Sequence, residues 1–130
     1  MSKNKEMKNP KKILIVDDEE IVVNVLTPKL EAEGFLVDAV EDGEQALQKI
    51  QEDKPDLILL DIIMPKLDGI SVLKELKQNE ETKNIPIIIL TNLYDDQKMT
   101  EVLQAGNTDY LVKVEHPVSE VIKKVKEKLE

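Results

Sequence analysis

Five short apolar runs alternate with five stretches of helical spacing, and no other feature of the chain restricts its fold as much. The runs are Ile13–Val16, Phe35–Val40, Leu57–Leu60, Pro86–Leu90 and Tyr110–Val112, rich in Ile, Leu and Val. Such lengths suit strands and fall far short of the ~20 apolar residues that a membrane-spanning helix needs. Between the runs, apolar residues recur every three or four positions, the period of one helix face. Glu20–Glu33 offers Val22, Leu26 and Leu30, with Gly34 as a stop and Pro28 as an interior residue that tends to kink a helix. Gly43–Glu52 offers Ala46, Leu47 and Ile50, and Gly69–Gln78 offers Ile70, Leu73 and Leu76. Asp95–Ala105 offers Met99, Val102 and Leu103 before Gly106. Pro117–Leu129 offers Val118, Val121, Ile122, Val125 and Leu129, with Pro117 at the first turn, where proline is tolerated.

Strand–helix pairs repeated five times predict a (βα)5 α/β fold. The central strands are almost wholly apolar, as parallel strands covered on both faces must be. Right-handed crossovers then give a doubly wound sheet. The strand order 2-1-3-4-5 is taken by analogy with other open sheets of this kind. Residues 11–130 form one domain in this reading, preceded by a disordered arm over residues 1–10 that is polar, Lys-rich and closed by Pro10.

Charge and composition remove several function classes. The net charge is -9, and every one of the 18 basic residues is Lys. The ends, 1–12 and 123–130, are net basic, so the body between them is more acidic still. An acidic body argues against nucleic acid as a direct partner, and the basic ends read as solvated termini. Without Cys there is no disulfide, thiolate metal site or Cys nucleophile. With no signal-peptide core and no apolar run of spanning length, the expectation is a cytoplasmic protein without membrane insertion.

In a doubly wound sheet, ligands bind at the carboxyl ends of the strands. The residues after each strand are therefore the candidates. Asp17 and Asp18 follow the first, Asp61 the third, Thr91 the fourth and Lys113 the fifth. The Glu41-Asp42-Gly43 segment follows an edge strand and lies too far off to join them. Each residue has a plain reading alone: Asp17 and Asp18 as helix caps, Thr91 as another, Lys113 as a surface lysine. Their convergence on one rim favours a site. Three carboxylates and one ammonium leave excess negative charge, which raises the carboxyl pKa values unless a cation relieves it. Oxygen-only ligands suit Mg2+, Ca2+ or Mn2+ rather than zinc. An Asp left partly free beside Mg2+ is a nucleophile toward phosphorus, with Thr91 and Lys113 available to phosphoryl oxygens.

The ordered motifs Ile13-Leu-Ile-Val-Asp17-Asp18-Glu, Leu59-Leu-Asp61-Ile-Ile-Met64-Pro65-Lys-Leu-Asp68-Gly69, Leu90-Thr91 and Asp109-Tyr110-Leu-Val-Lys113 resemble those of response-regulator receiver domains. The resemblance spans about residues 11–130 and implies the CheY-like, flavodoxin-like fold. It implies that Asp61 is the phosphoacceptor, with Asp18 a direct Mg2+ ligand, Asp17 a ligand mostly through water, and the Ile63 backbone carbonyl a third. It also implies Thr91 and Lys113 as the phosphate-sensing pair and Tyr110 as the aromatic switch. Met64 and Pro65 would shape the loop, and Asp68-Gly69 would start the third helix. The implied partners are a sensor histidine kinase or phosphotransfer protein, and a downstream protein on the face of helix 4, strand 5 and helix 5. The implied role is a phosphorelay switch that catalyses its own phosphorylation and dephosphorylation rather than a turnover enzyme. No output domain follows within the sequence, as in single-domain members or an excised receiver.

Two positions depart from the family pattern. Val114 stands where proline usually follows the Lys, and Asn92 stands where a small residue usually follows the Thr. A cis bond before a non-proline residue costs ~2.5–4 kcal/mol, so Lys113–Val114 is expected trans, with Lys113 still reaching Asp61. A phosphohydrolase of the haloacid-dehalogenase type also forms an aspartyl phosphate but needs a second Asp two residues on; Ile63 stands there and cannot shuttle a proton. A receiver-like fold without phosphorylation would lack Asp18, Asp61 or Lys113, and all are present. No Gly-rich loop follows the first strand, which weakens a nucleotide-binding reading.

Overall fold

Every apolar run becomes a strand, although the bounds shift. The structure is a computed structural model and describes residues 9–64, 66–92, 95–104 and 106–129. The expected arm over 1–10 lies largely outside the described residues, as do Pro65 and the expected helix end at Ala105. In chain order the elements are β1 (Lys12–Val16), α1 (Glu20–Ala32), β2 (Leu36–Val40), α2 (Gly43–Glu52) and β3 (Leu57–Leu60). Then come α3 (Gly69–Gln78), β4 (Ile87–Thr91), α4 (Asp96–Gln104), β5 (Thr108–Val112), a 3-10 turn at Lys113–Glu115 and α5 (Val118–Leu129). All strand pairs are parallel, in the order β2-β1-β3-β4-β5.

Alternate residues of each strand feed two cores. Leu14, Val16, Ile58, Leu60, Ile87, Ile89, Tyr110 and Val112 meet Ala46, Ile50, Val72, Leu73 and Val102 from α2, α3 and α4. Ile13, Ile15, Leu57, Leu59, Ile88, Leu90 and Leu111 meet Leu26, Leu30, Val121 and Val125 from α1 and α5. Period-two projection from a strand and period-3.6 projection from a helix dictate this division. Each fully buried Leu or Ile contributes ~1.5–3 kcal/mol through removal from water.

The boundary shifts have local causes. Pro86 is not part of β4; its carbonyl accepts from the Ile58 N–H at 3.1 Å, and the missing proline N–H suits the position before the strand. Strand β5 begins two residues earlier than its apolar run, because Thr108 pairs with Ile87 and Asp109 with Ile88 despite their polarity. The helix α1 continues through Pro28, which is exposed. Asp42 caps α2 by accepting from the Gln45 N–H at 2.8 Å, and Asp68 caps α3 by accepting from the Ser71 N–H at 2.9 Å. Asp95 does the same before α4, accepting from the Lys98 N–H at 3.0 Å. Among the described residues every peptide bond is trans, Lys113–Val114 included. No helix among them is long and apolar enough to cross a membrane.

Candidate functional site

Strand register brings the two central aspartates together. Val16 pairs with Leu60, so the next residues, Asp17 and Asp61, leave neighbouring strands at the same level. The Asp61 N–H donates to the Val16 carbonyl at 2.9 Å, and the Asp17 N–H donates to the Val40 carbonyl at 3.1 Å. Both side chains are buried, at 3% and 5% exposure. Such buried carboxylates need partners. Asp17 Oδ1 accepts from the Glu19 N–H at 2.9 Å, and Asp61 Oδ1 accepts from the Ile63 N–H at 3.3 Å.

Lys113 completes the site from β5. Strand β4 lies between β5 and β3, a span of roughly two strand spacings that only a long side chain crosses. Its Nζ lies 2.8 Å from Asp17 Oδ2 and 3.3 Å from Asp61 Oδ2, and it also bonds Glu19 Oε1. Burial alone would pull the Lys113 pKa down. The bonds to Asp17 and Glu19 and the charge of Asp61 overcome that and hold it well above the ordinary lysine value. For Asp17 burial wins: its carboxyl sits above the usual range even though Lys113 and the Glu19 amide favour the charged form. Thr91 is fully buried at the end of β4. Tyr110 points into the core shared with α2, α3 and α4, and burial, then the charges of Asp95 and Asp61, raises its phenol pKa.

Carboxylate oxygens of Asp17, Glu19 and Asp61 all lie within 4.8 Å of one another. This all-oxygen set, two buried carboxylates and one exposed, fits a hard divalent cation of the Mg2+ type. The sequence reading put Asp18 in this group; in the structure the third clustered carboxylate is Glu19, and Glu19 and Asp18 are both exposed. The Glu19 N–H bonds back to Asp17 Oδ1 at 2.9 Å across the bend at Asp18, and this local turn brings Glu19 beside Asp17. The sequence reading also missed a bond between the two unusual positions: the Val114 N–H donates to Asn92 Oδ1 at 3.1 Å.

A family model described as the response regulator receiver domain matches residues 13–126. The chain belongs to the response-regulator receiver family. Receiver domains are phosphoacceptor modules of two-component signalling, and this receiver has the five-stranded fold of its relatives. It is 46% identical over 103 residues to the alkaline phosphatase synthesis transcriptional regulatory protein PhoP of Bacillus subtilis, covering 79% of this chain and 42% of that protein. The solved structure of a two-component response regulator from Clostridium difficile superposes with a TM-score of 0.82 at 33% identity, covering 92% of this chain and 95% of that one. The Mn2+-bound form of response regulator Rcp1 superposes with a TM-score of 0.79 at 29% identity, covering 91% of each. The receiver spans less than half the length of the curated relatives it matches.

Proposed function

We propose that this receiver takes a phosphoryl group onto Asp61 from a phosphohistidine on a sensor histidine kinase or phosphotransfer protein. The observation that carries the reading is the setting of Asp61. It is a buried carboxylate at a central strand end, with one oxygen on a backbone N–H and the other on the Lys113 ammonium. An Asp61 oxygen attacks phosphorus, the bond from phosphorus to the histidine nitrogen breaks, and the imidazole leaves. Lys113 neutralises charge on the transferred oxygens, and Thr91 supplies a hydroxyl to them once β4 shifts. Mg2+ would be held by Asp17 and Asp61, the Ile63 carbonyl and an acid of the 18–19 pair. Glu19 already faces the site, whereas Asp18 is the acid that the resemblance implies. The cation, when bound, offsets the charge of the phosphoryl oxygens. That Rcp1 binds Mn2+ supports a divalent cation here.

Resetting is a second displacement, by water, on the same residues. Water attacks phosphorus, the bond to the Asp61 oxygen breaks, and inorganic phosphate leaves. The protein thus catalyses its own phosphorylation and dephosphorylation, without turnover of a separate substrate. Between the two steps, Thr91 and Lys113 draw toward the phosphoryl group and shift a pre-existing equilibrium reported by Tyr110. The face of α4, β5 and α5 then binds a downstream protein in the cytoplasm.

Intact mass after exposure to a small phosphodonor, with and without Mg2+, tests the reading. The expected result is one added phosphoryl group that needs Mg2+ and is absent in Asp61→Asn. Undiminished labelling of that variant overturns the assignment of Asp61. Steady hydrolysis of many phosphate esters would instead favour a phosphohydrolase.

A further inference from the structure

The end of β4 and the turn after β5 are joined by a hydrogen bond that no strand ladder requires. Thr91 pairs with Val112, so Asn92 and Lys113 leave the sheet side by side. One residue further on, the Val114 N–H donates to Asn92 Oδ1 at 3.1 Å. Asn92 follows Thr91 and Val114 follows Lys113, so the bond links the residues immediately beyond both phosphate-sensing side chains. Donor and acceptor are the two positions at which the sequence leaves its family's pattern. Proline at 114 would have no N–H to give, and alanine at 92 would have no oxygen to receive it.

Among the described residues, the backbone of the turn that carries Lys113 has few other ties. It is a single 3-10 turn over Lys113–Glu115, closed by the His116 N–H to the Lys113 carbonyl at 3.4 Å, a long bond. His116 Nδ1 lies 3.0 Å from the Val112 carbonyl and steadies the exit of the strand. The Val114 residue is 80% exposed, so no packing anchors the middle of the turn. Yet the ammonium on this turn must meet Asp17, Glu19 and Asp61 together. Displacement of a catalytic group by about 1 Å is enough to cost ~100-fold in rate.

We propose that Asn92 is a positioning residue for Lys113: by accepting from the Val114 N–H it ties the Lys113 turn to the end of β4 and holds the ammonium over Asp61. The inference rests on the reading of Asp61 as phosphoacceptor for its kinetic consequence, while the tie itself is observable without any phosphodonor. Through this tie, movement at the end of β4 is passed directly to the Lys113 turn.

Two measurements test it. The first is amide hydrogen exchange at Val114 and the Lys113 Nζ chemical shift by NMR, with no phosphodonor present. Asn92→Ala should speed Val114 exchange by roughly three- to tenfold, the range for loss of one intramolecular hydrogen bond. Asn92→Asp, which keeps an acceptor oxygen, should restore protection. Asn92→Ala and Val114→Pro should move the Lys113 Nζ shift in the same direction. The second is the rate of Asp61 labelling by acetyl phosphate. Asn92→Ala should slow it roughly three- to tenfold in the wild-type background and leave it unchanged in a Lys113→Ala background. An Asn92→Ala effect of the same size without Lys113 would overturn the positioning role. Unchanged Val114 exchange in Asn92→Ala would overturn the tie. If wild-type protein is not labelled at all, the phosphoacceptor reading fails, and the NMR pair alone decides for or against the tie.

Discussion

Replacing Gly69 by Ala should damage both stability and phosphorylation, because the helix α3 begins against the backbone of Asp61, the proposed phosphoacceptor. The Gly69 N–H donates to the Ile62 carbonyl at 3.0 Å, which draws the first turn of α3 onto the β3 exit. A Cβ at this position would lie 2.1 Å from the Asp61 carbonyl oxygen, 2.7 Å from Ile62 Cα and 2.9 Å from the Asp61 carbonyl carbon. All three are backbone atoms beside a buried strand, so no flexible side chain can yield. Ordinary contact begins near 3.4 Å, so helix or loop must shift by more than about 1 Å. Overpacking typically costs ~1–3 kcal/mol, and a backbone obstruction belongs at the upper end. The better helix propensity of Ala returns at most ~1 kcal/mol, leaving a net loss of about 2 kcal/mol. For a domain of this size that lowers Tm by roughly 5–10 °C. Urea unfolding at constant m reads the loss, and acetyl phosphate labelling reads the displacement of Asp61. Gly106→Ala is the control: its φ is +78° but nothing lies within 4 Å of the added Cβ. It should lose only the ~1–2 kcal/mol of left-handed strain and label normally. Wild-type labelling by Gly69→Ala, with less than about 0.5 kcal/mol lost, would refute the steric reasoning.

Asp17→Asn keeps an acceptor for the Glu19 N–H but removes a carboxyl whose pKa burial raises above 3.8. A raised folded pKa favours folding only below the ordinary carboxyl range and loses that contribution as pH rises through the folded value. The variant should therefore be more stable than wild type at neutral pH without divalent cation, with the gap closing as pH falls through the raised folded value and gone below 3.8; a variant less stable at pH 7 contradicts this. Mg2+ at 100 times its Kd should stabilise wild type by ~2.7 kcal/mol, reversed by chelator and weakened as the ligating carboxylates protonate. A thermal melt indifferent to Mg2+ would remove the cation from the site. A downstream partner should bind the phosphorylated form more tightly, and equal affinity for both forms in calorimetry would sever the link from Asp61 to the α4–β5–α5 face.

The five apolar runs, their two-residue period and the helical spacing between them are local properties, so the sequence alone specified five strand–helix pairs. The strand-end rule then singled out Asp17, Asp61, Thr91 and Lys113, because each directly follows or ends a strand, interior for β1, β3 and β4 and at the sheet edge for β5. Edge positions were less legible. Strand β2 is largely exposed, and β5 takes in Thr108 and Asp109 because pairing with Ile87 and Ile88, not their own polarity, decides their state. Within the site, composition could not tell Asp18 from Glu19; the turn after Val16, with the Glu19 N–H on Asp17 Oδ1, brought a Glu19 oxygen within 4.8 Å of those of Asp17 and Asp61. Nor could separation along the chain reveal the bond from Val114 to Asn92, 22 residues apart. Short-range periodicity fixes which elements form, since each element's own backbone and burial pattern generate it. Register between distant strands fixes which side chains meet, and that is settled only when the whole sheet packs between its two helical layers.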